Sequence, residues 1–101
     1  MSESNLPVLP RPVYQAALFA LREAQATLTP GSAIWRCADE LASGHAYAAG
    51  CAGGYWAIVP TPDDYRAAAE HLAALPTWEG RQTTARDIAA TIARGRAQVQ
   101  P

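Results

Sequence analysis

Apolar residues recur along most of this chain at the spacing of one face of an α-helix. From Val13 the set Val13, Ala17, Leu21, Ala24 and Leu28 keeps that period, with Tyr14 and Leu18 beside it. Arg22, Glu23 and Gln25 fall on the opposite side, which the pattern assigns to water. Pro12 suits the first turn of such a helix, where a missing N–H costs nothing. Ile34, Ala38 and Leu41, flanked by Trp35, predict a second helix over about residues 31–43. Thr29 is its expected cap, Pro30 its first residue, and Ser43-Gly44 its stop. A third begins at "TPDD", with Thr61 capping, Pro62 opening, and Asp63 and Asp64 favouring the positive helix end. Its buried stripe is Tyr65, Ala69, Leu72 and Leu75, and Pro76 ends it. "TTARD" starts a fourth, carried by Ala85, Ile88, Ala89, Ile92 and Ala93 and fading near Gly95.

Between the second and third helices the period breaks. "HAYAAGCAGGYWAIVP" places Gly53-Gly54, a dipeptide that adopts positive φ cheaply, before the strand formers of "YWAIV". The expectation is a β-hairpin over about residues 46–59, with Gly50 as a bulge. The fold class is then α+β and mostly helical: two helices, a hairpin, two helices. The alternative is an all-α four-helix bundle, in which the second helix runs on through "HAYAAGCA" because alanine is the best helix former. Three prolines make residues 1–12 an extended arm; residues 13–97 form one globular domain and 98–101 a frayed tail.

Composition alters this picture in two respects. Half of the 101 residues are hydrophobic and 17% are charged, enough for one packed core. Yet 23 of them are alanine, which buries little area, so the core is expected to rest on Leu, Ile, Val and the eight aromatics, with modest stability. The net charge of −1 supplies no global field towards nucleic acid or an anionic membrane. All eight basic residues are Arg, as a GC-rich genome would favour. No secretory leader or membrane-length apolar run is read, and two cysteines in such a chain point to reduced thiols and a cytoplasmic protein.

Chemistry is sparse. Cys37, His45, Cys51 and His71 are the available soft or imidazole ligands, but none of them is paired at the two- to four-residue spacing usual for zinc. They read as buried thiols and surface or half-buried histidines. Neither Cys37 nor Cys51 sits in a protease signature, and Ser32 and Ser43 lack a G-x-S-x-G elbow. "GCAGG" has no Lys and no following helix start, so it cradles no phosphate. Asp39-Glu40 reads as a solvated face. No catalytic residue, metal or cofactor is expected, and the chain is read as not an enzyme.

What remains is surface recognition. Tyr, Trp and Arg are enriched at interface hot spots. Tyr47, Tyr55, Trp78, Glu79 and Arg81 are therefore the expected contacts with a partner protein. The reading is a small bacterial, phage or plasmid factor (an inhibitor, immunity or accessory protein) that works by occupying a partner's surface. The alternative is a nucleic-acid-binding accessory protein using Arg81, Arg86, Arg94 and Arg96. "TTARDIAATIA" is similar to the first helix of some helix-turn-helix domains, but only six residues follow Gly95, too few for a recognition helix. A homodimer would suit a thin core that leaves apolar surface uncovered.

Overall fold

The computed structural model describes residues 9–50 and 59–98, and these form four helices: α1 (Arg11–Ala26), α2 (Ala33–Ala48), α3 (Pro62–Ala74) and α4 (Gly80–Ala97). The α3 start is built as its sequence predicts. Thr61 accepts from the Asp64 N–H at 3.2 Å, the Asp64 carboxylate accepts from the Thr61 N–H at 2.8 Å, and Pro62 opens the helix. At α2 the cap is Ser32 rather than Thr29, its hydroxyl accepting from the Trp35 N–H at 3.2 Å. Thr29, Pro30 and Gly31 instead form a turn in which the Thr29 carbonyl accepts from the Ser32 N–H and Gly31 takes φ +81°. Helix α4 also starts before "TTARD". The hydroxyls of Thr83 and Thr84 bond back to the carbonyls of Glu79 and Gly80, so these threonines lie within the first turns and do not cap them.

Helix α1 is the centre of the molecule and packs against each of the other three. Val13, Ala16, Ala17, Leu18, Ala20, Leu21 and Ala24 are all buried, a band wider than the single stripe of the sequence pattern. Gln25, assigned to water above, is buried as well. Arg22 donates to its side-chain oxygen at 2.8 Å, and its amide nitrogen donates to Asp39 of α2 at 3.3 Å. Helices α1 and α2 run antiparallel. Arg22 meets Asp39 at one end, and the Arg11 guanidinium donates to the Ala49 carbonyl at 3.0 Å at the other. Helices α3 and α4 form a second antiparallel pair, whereas α2 and α3 barely touch.

The core is alanine more than anything else. Ala38 and Ala42 on α2, Ala68 and Ala69 on α3, and Ala85, Ala89, Ala90 and Ala93 on α4 are buried, while Tyr14, Phe19, Tyr65, Ile88 and Ile92 are half-buried around them. The expectation of a core resting on Leu, Ile, Val and the aromatics is thus corrected in part: Val13, Leu18, Leu21 and Leu72 are buried, but alanines outnumber them and the described aromatics stay at the edge or outside. Small side chains let the helix axes come close, and the rings close the edges of the contact.

The hairpin expectation is corrected. Among the described residues there is no strand, and the fold is all-α. Residues 46–48, placed in the first hairpin arm, are the last turn of α2, and Gly44 lies inside that helix on its exposed side. The reason is a stripe that continues past Gly44: Ala38, Ala42, His45 and Ala49 are all buried at helical spacing. Burying those side chains offsets the cost of one mid-helix glycine, about 1 kcal/mol. Helix α2 stops at Gly50, whose φ of +76° supplies the left-handed turn. Tyr55, Cys51 and the Gly53-Gly54 turn lie outside the described residues.

Candidate functional site

Because α2 extends to Ala48, His45 stands on its inward face, and it meets His71 from the last turn of α3. The two Nε2 atoms are 2.8 Å apart, and the ring centroids 5.0 Å. His45 Nδ1 lies 2.7 Å from the Leu41 carbonyl, which accepts only, so Nδ1 carries the proton. When the ring is neutral its Nε2 therefore holds a lone pair, and His71 Nε2–H donates to it. Tyr14 of α1 backs both rings, tilted against His45 at 6.2 Å and edge-on to His71 at 5.8 Å. Burial holds the His45 pKa below the usual imidazole value, against an opposing push from the Leu41 hydrogen bond. Burial and the neighbouring His45 bring His71 down to about 4. Both rings are neutral at pH 7.

The pair lies in a groove of about 290 Å³ where α2 and α3 diverge, with Tyr14, Glu40, Leu41, Gly44, Ala48 and Leu75 as its other lining residues. The sequence supplied both histidines as possible ligands but no sign that they meet, since 26 positions separate them. The missed signal was the Ala38–Ala42–His45 spacing, which aims His45 inward once the helix is allowed to continue. Among the described residues no group of three His, Cys, Asp or Glu side chains stands together. Cys37 is well away from the pair. Its thiol is held above the usual range by burial, then by Glu79 and Glu40, which disfavours the thiolate a nucleophile needs.

The expected contact residues separate into different settings. Trp78 is 80% exposed, and so is Tyr47 on the last turn of α2. Glu79 and Arg81 are exposed beside Trp78, their charged groups 3.7 Å apart. The Trp78 loop is nonetheless pinned at its base. The Trp78 N–H donates to the buried Gln82 side chain at 3.2 Å, and the Thr77 and Thr83 hydroxyls are 2.5 Å apart. The indole projects from a fixed backbone.

The arginines of α4 are mostly engaged within the fold. Arg86, with its side chain 18% exposed, donates to the Leu75 carbonyl at 2.6 Å and pairs with Asp87 at 3.0 Å. Arg96 donates to both oxygens of Glu23 at 2.8 Å. Arg94 is exposed and shares a groove of about 580 Å³ with Arg66, Glu70 and Gln98, a lining of both signs. No helix among the described residues is long and apolar enough to cross a membrane.

Compared with known proteins, the chain matches no family model, no curated protein and no solved structure.

Proposed function

We propose that this protein is a non-catalytic interaction module that binds a partner protein through the junction between α3 and α4. Its action is that of an inhibitor, immunity or accessory factor occupying a partner's surface. One observation carries the reading: Trp78 is 80% exposed on a loop held by Gln82 and the Thr77–Thr83 contact. An exposed indole has a large apolar area to lose to a partner, and a pinned backbone lowers the ordering cost of binding. Glu79 and Arg81 flank it with one charge of each sign, a polar rim around an apolar centre. A phosphate-tracking role for α4 has less support, because Arg86 and Arg96 already satisfy Leu75 and Glu23.

The test is capture from a host lysate with tagged wild-type protein and with Trp78→Ala and Arg81→Ala, with and without nuclease. The expected result is one protein retained after nuclease treatment, with affinity reduced about tenfold or more by Trp78→Ala. Circular dichroism of the variant should match wild type, since the indole supports no core. Equal capture by Trp78→Ala would reject the junction as the contact. Loss of all capture on nuclease treatment would transfer the reading to nucleic acid.

A further inference from the structure

We propose that His45 and His71 form a two-histidine seat for a divalent transition-metal ion of the zinc class, bridging α2 and α3. Three features of the geometry carry this. The two Nε2 atoms face each other at 2.8 Å. Tetrahedral zinc with bonds of about 2.0–2.1 Å needs its two nitrogens roughly 3.3 Å apart, so the rings must separate by about half an ångström and tilt until both lone pairs converge on the ion. Second, the Nδ1–H of His45 is committed to the Leu41 carbonyl at 2.7 Å. That backbone contact fixes the tautomer and ring orientation that metal-binding histidines require. Third, the pair opens onto a groove with room for further ligands, and α2 and α3 barely touch elsewhere, so a small separation there disturbs little packing.

The proton inventory balances. In the hydrogen-bonded pair, His71 carries its proton on Nε2 and His45 on Nδ1. Metal binding needs both Nε2 lone pairs, so the His71 proton moves to its own Nδ1 through solvent and none is released. One N–H···N bond is exchanged for two N–metal bonds. Neutral rings at pH 7 also spare the metal competition from protons. Glu40 lines the same groove, but no third His, Cys, Asp or Glu stands close enough to make a three-ligand cluster among the described residues. Water therefore completes the coordination, and affinity falls well short of a closed four-ligand site.

The experiment uses the full chain with Cys37→Ser and Cys51→Ser, so that thiols contribute nothing to binding. Zinc chloride is titrated calorimetrically, and both imidazoles are followed by long-range proton–nitrogen NMR. The expected result is one ion per chain, with the Nε2 resonances of His45 and His71 shifting together. His71→Ala, a change at a half-exposed position, should weaken binding about tenfold or more while leaving the circular dichroism spectrum unchanged. The proposal is overturned by zinc affinity that His71→Ala does not alter, or by imidazole resonances that stay fixed as zinc is added in excess. Should His71→Ala fail to fold, the resonances of the otherwise native chain decide by themselves.

Discussion

Gln15 is the residue whose environment least matches its chemistry. It is 1% exposed on α1, and its side-chain nitrogen has no hydrogen-bond partner among the described residues. A buried amide donor left unsatisfied costs about 1–3 kcal/mol, and a leucine has similar bulk, one bond shorter, without the polar atoms. Gln15→Leu should raise stability by about 1–2 kcal/mol, read as a higher urea midpoint at unchanged slope. An unchanged or lower midpoint would mean that the amide is satisfied in solution. Gly50 shows the opposite situation, a residue matched to its place twice over. Its φ is +76°, and a Cβ there would lie 2.8 Å from the Arg11 guanidinium that caps α2. The φ is the local signature of a helix stop, but the close approach could not be read from the sequence, because it depends on where α1 brings Arg11.

At the scale of elements, legibility followed how local the cause was. The α3 start was readable because the capping box is a contact between residues three apart. The α2 cap was misplaced by three residues because Thr29-Pro30 and Ser32 both carry start signals, and only the turn at Gly31 selects between them. The end of α2 was unreadable from Gly44 and Gly50 alone, since burial of His45 and Ala49 against other helices overrides the glycine at 44. The histidine pair was hidden for the same reason. It predicts a pH response in metal-free protein. Both folded-state pKa values lie below the usual 6.5, so the unfolded chain binds more protons in acid. Stability is complete above about pH 6.5 and falls as pH drops towards 4, where His71 titrates. Tyr14 and Glu40 are the other titratable side chains lining this groove. After discounting for solvent around half-exposed His71, the loss should be about 1–2 kcal/mol. Thermal midpoints with chelator present, at pH 7 and pH 4.5, test it. His71→Ala should flatten the difference, and an equal slope in that variant would place the acid sensitivity elsewhere.

For the whole molecule, composition carried more structural information than its modest expectations allowed. The alanines, read from composition as residues that bury little area, are the ones buried where the helices meet. The functional side of the sequence is less legible. Trp78 and Tyr47 were named from residue type alone, and their exposure follows from packing that favours small residues and leaves large ones at the rim. Recognition by such a surface depends on the partner's shape, which no spacing along this chain encodes.

The central place of α1 also sets the order in which the molecule comes apart. Helices α3 and α4 have each other, but α2 has little beyond α1 and the side of α4, and no pair that omits α1 encloses the buried leucines Leu18 and Leu21. Partial opening can therefore release the edges of the fold while α1 stays covered, whereas freeing α1 removes the contacts it makes with all three other helices. Its amides, from about Ala16 to Ala24, should be the last to exchange with deuterium, at a rate set by global unfolding. Those at the end of α2, near Gly50, should exchange earlier through local opening. A chain whose slowest protons lay in α4 would have its cooperative unit in the α3–α4 pair instead.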